Sequence, residues 1–275
     1  VLVDRRYVNE DDFVAKSKME RPFQITQADQ KILQDTSHYR VLDLTSNPFN
    51  SARTSFFHNS IGGYHAAKPK RIQNLYEFYI SQGNQNILNM MNVKYFIMNP
   101  ENQGLQVQVN DDIYGNAWFV NTIKTVDSVD EELLALDKIN LSETAIIHSD
   151  EASKFENLDF EINKDNSIKL IEQKPNSLTY QFNAATPQFA VFSEVFYEHG
   201  WEAQINGEKQ DIHKVNYLLR GLNVPAGNGQ ITFEFKPKVV QTGSKITLAS
   251  SILFFCLLFF GLYKTYSSKT KSITN

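Results

Sequence analysis

One uncharged run near the C-terminal end constrains this chain most. Residues 246–263 read ITLASSILFFCLLFFGLY, with Lys245 just before and Lys264 just after. As a helix rising 1.5 Å per residue, the run extends about 27 Å, close to the ~30 Å hydrocarbon thickness of a bilayer. Thr247, Ser250 and Ser251 can bond back to helix carbonyls, so lipid tolerates them. A core helix of a soluble domain would be shorter, about 10–14 residues. The sequence therefore predicts a water-soluble body tethered to a membrane by its C-terminal end.

The body has about 240 residues, enough for one large or two modest domains. Its 20 Phe, 12 Tyr and 2 Trp supply real cores. A net charge of −4 without a basic stripe argues against nucleic acid as a partner. The single cysteine, Cys256, sits inside the apolar run, which excludes an intrachain disulfide and a cysteine metal site in the body. The chain opens Val1-Leu2-Val3 without Met, which reads as the C-terminal piece of a longer protein. Lys264, Lys269 and Lys271 follow the run, and Lys236, Lys238 and Lys245 precede it. Charges on a folded domain weigh less in the positive-inside rule, so the tail is expected in the cytoplasm and the body outside.

Residues 1–150 mix helix and strand patterns. A helix is expected from Gln27 to Gln34 and a strand over His38–Leu44, followed by the turn TSNPFN. Pro69 suits the first turn of another helix, whose apolar face is Ile72, Leu75, Tyr76, Tyr79 and Ile80. Gly83 can end it in the left-handed conformation. Short elements follow at Asn86–Met91, Val93–Met98, Ala117–Val120 and Thr144–His148. Ser128-Val-Asp-Glu131 matches a capping box, with Leu133, Leu134 and Leu136 as the expected core face.

Residues 151–166 form a charged linker, beyond which helical periodicity disappears. Seven strands are expected, at Ser167–Glu172, Ser177–Phe182, Ala190–Phe196, Trp201–Ile205, Glu208–Ile212, Asn216–Leu222 and Gln230–Phe235. Asn206-Gly207 is a hairpin signal, because both positions accept positive φ. The fold class is thus α+β: a mixed α/β domain over 1–150, a β-sandwich over 167–240, a membrane helix over 245–264 and a cytoplasmic tail over 265–275.

Chemistry is harder to find. The six histidines form no helical i, i+4 pair, and no GxSxG, P-loop or GxGxxG pattern occurs. Trp118 and Trp201 sit in alternating strands and read as core, and Arg220 reads as a paired structural arginine. The one unusual stretch is Gly63-Tyr-His-Ala-Ala-Lys68-Pro-Lys70-Arg71. Cations crowd a helix start, where the dipole disfavours them. Tyr64, His65, Lys68, Lys70 and Arg71 are therefore the candidate site, for an anion or glycan phosphate. The competing reading is a solvated face with salt bridges to a neighbour.

Several blocks stand out together: SFFHNSIGGYHAAKPKRIQ at 55–73, ILNMMNVKYFIMNP at 87–100, FSEVFYEHGWEAQINGE at 192–208 and NYLLRGLNVPAG at 216–227. They resemble the C-terminal part of YfhO-family bacterial membrane proteins. That family resembles GT-C-type glycosyltransferases, which transfer sugar from a polyprenyl-phosphate donor. The resemblance implies an extracytoplasmic body, further transmembrane helices in the parent chain as partners, and a cell-envelope glycopolymer as acceptor. It also implies a catalytic carboxylate upstream of Val1, so no catalytic residue is expected in this chain and the fragment itself is non-catalytic. A membrane-anchored glycan- or protein-binding scaffold without transferase activity is the alternative.

Overall fold

The computed structural model describes residues 12–273 apart from 66, 156 and 162. Residues 1–11 and 274–275, assigned above to the first domain and the tail, lie outside the described residues. Helices α1 (Lys16–Glu20) and α2 (Gln27–Ile32) open the chain. The Thr26 hydroxyl accepts from the Asp29 amide and the Asp29 carboxylate accepts from the Thr26 amide, a reciprocal cap that sets the start of α2. Tyr39 then donates its hydroxyl to the Ile32 carbonyl at 2.8 Å, tying α2 to the next strand. That strand, β1 (Arg40–Asp43), precedes α3 (Arg53–Phe57), α4 (Lys70–Phe78), α5 (Gln85–Met90), β2 (Val93–Met98) and β3 (Gln106–Val109). β2 lies between β1, which it pairs in parallel, and β3, which it pairs antiparallel. The QVQV strand β3 is too short and too polar for the sequence pattern to mark.

Next come β4 (Ala117–Val120), β5 (Thr122–Val126), α6 (Val129–Ala135) and β6 (Thr144–His148). β5 and β6 form a separate parallel pair. Ser128 caps α6 by accepting from the Glu131 amide at 3.1 Å. The Glu131 carboxylate accepts from the Asp127 amide, one residue before the cap, so the expected box is completed one position early. Leu133 and Leu136 are buried as expected, whereas Leu134 faces solvent. A helix of seven residues offers too narrow an apolar stripe to cover three leucines at positions 1, 2 and 4 of the run.

The rest of the body is β-structure: β7 (Ser167–Lys174), β8 (Ser177–Ala184), β9 (Gln188–Val195), β10 (Trp201–Ile205), β11 (Glu208–Gln210), β12 (His213–Val215), β13 (Leu219–Val224) and β14 (Gly227–Phe235). Two antiparallel sheets result, in the orders β11-β10-β14-β8-β7 and β12-β13-β9-β4. Asn206 and Gly207 both take positive φ, 52° and 89°, and close the β10–β11 hairpin. The strand expected over Asn216–Leu222 is interrupted. Asn216 and Tyr217 adopt left-handed φ of 48° and 72°, turning the chain between β12 and β13.

The four-stranded sheet is a middle layer covered on both faces. Side chains alternate across a strand. Ala190 and Phe192 of β9, with Leu222 and Val224 of β13, meet Tyr180, Phe182 and Phe233 of the five-stranded sheet. Phe189 and Val191 of the same β9 face the other way, into a cluster with Leu75, Ile87, Leu136 and Ile146. This explains why β9 is buried almost without a break. Each large aromatic so buried contributes about 1.5–3 kcal/mol. The N-terminal strand β4 belongs to this sheet, so residues on both sides of 151–166 share one core.

The last helix, α7 (Lys238–Ile273), begins three residues after β14 ends. Its segment Lys238–Lys264 is 27 residues long, apolar enough to cross a membrane, and wholly uncovered by the body. Leucines and phenylalanines lie all round it, as a lipid-facing helix requires.

Candidate functional site

The segment before α4 is held on a specific platform. Ser60 bridges Val41 beside β1, and Ile61 donates to the Val41 carbonyl at 3.1 Å and is buried. The chain then presses against the Pro48 turn. A Cβ on Gly62 would lie 2.2 Å from the Pro48 carbonyl oxygen, so no larger residue fits, and Gly63 takes φ of 131°. Its amide donates to the same Pro48 carbonyl at 2.6 Å. These two glycines fix where Tyr64 and His65 leave the body.

The structure treats the five candidate residues in three ways. Tyr64, His65 and Lys70 are exposed, Tyr64 at 73%. The His65 ring accepts from the Ala67 amide through Nδ1 at 3.0 Å, which orients it locally. Lys68 is half-buried: its Nζ lies 3.7 Å from the centroid of the Phe49 ring and donates to Gln73 at 3.2 Å. Arg71 is drawn away from the others. Its Nη1 donates to the Glu132 carboxylate at 2.9 Å and to the Tyr217 carbonyl, and its guanidinium lies over the Tyr217 ring. Glu132 is 1% exposed, and its other oxygen accepts from the Tyr217 amide at 2.9 Å. Arg71 thus clamps α4 to α6 and to the β12–β13 turn. Tyr64, His65 and Lys70 stay exposed, and Lys68 is half-buried.

A buried ionic cluster lies among the elements that precede this segment in the chain. Asp29 accepts from His58 Nε2 at 3.0 Å and pairs with Arg53 at its other oxygen. Burial would raise the Asp29 carboxyl, but hydrogen bonds from Arg53, Thr26 and His58 outweigh it and hold the group at about 2. Asp43, also buried, accepts from Thr54 at 2.9 Å and Thr45 at 2.6 Å. The cluster locks α2, β1 and α3 together. Among the described residues, no group of three or more His, Cys, Asp or Glu is placed to hold a metal ion.

A second feature was not singled out in the sequence. A cleft of about 490 Å³ opens where the body meets α7, between the turn at 196–200, the end of β11 with residues 211–212, and the helix start. Trp201 stands in its wall rather than wholly in the core, with the Arg220 guanidinium 4.1 Å from its ring centroid. Arg220 also donates through Nε to the Val195 carbonyl at 3.0 Å, and burial pulls its guanidinium down to about 10. The available signal was the aromatic-histidine run FYEHGW, which pairs through β10 with the strand that feeds the membrane helix. Trp118, in contrast, is core, donating its indole N–H to the Leu141 carbonyl at 3.0 Å.

Fold and sites together define a membrane-anchored protein with a mixed α/β body. Residues 134–247 match the family described as "Bacterial membrane protein YfhO". The chain is 29% identical over 91 residues to a Bacillus subtilis (strain 168) protein titled "Uncharacterized protein YfhO". That alignment covers 33% of this chain and 10% of the relative, so the match spans about a tenth of that protein's length. The homology holds at the level of the family. No solved structure matches the chain.

Proposed function

We propose that this chain is the extracytoplasmic, non-catalytic end of a polytopic membrane protein that transfers sugar from a polyprenyl-phosphate donor. In this reading it positions a cell-envelope glycopolymer for that reaction. The carrying observation is that only ten residues, 236–245, separate the last strand from the apolar run of α7, which keeps the folded body close to the bilayer surface. The family match supports a membrane context and, through the resemblance to GT-C enzymes, the sugar donor. The two antiparallel sheets that share an apolar cluster support the sandwich architecture for 167–240, supplemented by β4. The acceptor's anionic groups meet Tyr64, His65, Lys68 and Lys70, and Arg71 holds α4, which carries Lys70 and directly follows the other three. The tail after Lys264 is cytoplasmic.

The test uses the full-length parent protein. The triple variant H65A/K68A/K70A lowers glycan transfer and leaves thermal stability near wild type. Unchanged transfer would remove this patch from the function. Labelling engineered cysteines at an exposed body position and in the tail, on intact cells, tests the orientation independently.

A further inference from the structure

The cleft at the foot of α7 has a ligand chemistry of its own. We propose that it seats the headgroup of a bilayer lipid, a phosphate diester that carries an ammonium group. This goes beyond the sugar-transfer reading and does not depend on it.

Position comes first. Lys238 and Val239 line the cleft at the start of α7, eight and seven residues ahead of Ile246, where the apolar run begins. At 1.5 Å per residue that is about 12 Å or less, so the cleft faces the polar surface of the bilayer. Tyr197, 54% exposed, and Trp201 line it as well. Such rings, apolar at one side and polar at the other, settle at the membrane–water boundary.

Charge comes second. Two of the three lysines in the cleft are already matched: Lys209 lies 3.6 Å from Glu202, and Lys236 pairs with Glu234. Lys238, Glu198 and Asp211 line the same cleft, and their side chains make no hydrogen bond or ion pair among the described residues. One cation and two carboxylates are thus left facing a single space. Lys238 also sits at the positive end of a 36-residue helix, which favours a phosphate there. A purely anionic headgroup would meet both carboxylates and be repelled. A zwitterion satisfies both signs, with phosphate on Lys238 and ammonium on Glu198 and Asp211. A primary ammonium can donate hydrogen bonds to those carboxylates, which a quaternary one cannot. The phosphoethanolamine type of headgroup therefore fits best.

The experiment takes the intact chain in phosphatidylcholine nanodiscs doped with phosphatidylethanolamine or phosphatidylglycerol and counts retained lipids by native mass spectrometry. Wild type retains phosphatidylethanolamine over the other two. K238A weakens that retention about tenfold, the loss of one charge-assisted contact. The charge-reversed E198K/D211K, changed only at exposed positions, switches the preference to phosphatidylglycerol. Equal retention of all three lipids by wild type, a wild-type preference for phosphatidylglycerol, or no switch in the reversed variant would overturn the proposal. Soluble glycerophosphoethanolamine competing as strongly as the lipid would overturn the bilayer as its source.

Discussion

Replacing Arg71 by Ala separates a clamp from a ligand-binding cation. Glu132 is buried and holds two donors, Arg71 on one oxygen and the Tyr217 amide on the other. Without Arg71, a buried carboxylate keeps one hydrogen bond and no counter-charge. Breaking such a pair from one side costs about 3–5 kcal/mol. Solvent reaches part of Arg71, whose side chain is 27% exposed, which favours the lower end of that range. The lost contact with the Tyr217 ring adds about 0.5–1 kcal/mol. A total of about 3–4 kcal/mol lowers the Tm of a body this size by roughly 6–15 °C. Circular dichroism of the intact chain in detergent measures it. K70A serves as the control, within about 0.5 kcal/mol of wild type because Lys70 is exposed. R71M/E132Q recovers most of the loss, since Gln still accepts from the Tyr217 amide and no charge is stranded. An R71A melt within about 2 °C of wild type would refute the clamp and return Arg71 to the candidate ligand set.

Three other expectations use different parts of the molecule. Asp29 has its carboxyl lowered from 3.8 to about 2, so its contribution, on the order of 2 kcal/mol, is complete above the unfolded value near 4 and disappears as pH falls towards 2. D29N should flatten denaturant-measured stability across that acid window while lowering it at neutral pH. G62A forces a Cβ against the Pro48 carbonyl and costs about 1–3 kcal/mol, with faster amide exchange over 60–65 as the local readout. An Arg at Phe254, in the middle of the apolar run, adds about 2.5–3.5 kcal/mol to insertion and should release chain into the alkaline-carbonate supernatant, where wild type stays in the pellet.

Local chemistry is legible because its partners lie within a few residues. The apolar run needs only its own composition and length to be a span. Asn206-Gly207, the Ser128 cap and the left-handed Gly83 each close a hydrogen bond or a steric problem inside one turn. The Ile72–Ile80 stripe marks Leu75, Tyr79 and Ile80 as core, which they are, although the helix stops at Phe78 and a 3-10 turn over Ile80–Gln82, closed by Gly83, replaces its expected last turn. Long-range partners leave no such mark. Glu132 is 61 residues from Arg71 and Tyr217 is 146, so a cation cluster in the sequence becomes one clamp and a dispersed patch. β9 has the residues of a strand either way. Only the arrival of β4 on one edge, and of separate apolar clusters on its two faces, makes it a middle layer. The same holds for the cleft, whose walls come from a turn, a strand end and a helix start that chain order keeps apart. By itself the sequence determined the span, the turns and the caps, since those energies are settled between neighbours along the backbone. The tertiary structure decided which charges are consumed by the fold and which remain for a ligand, because burial and pairing exist only once distant segments meet.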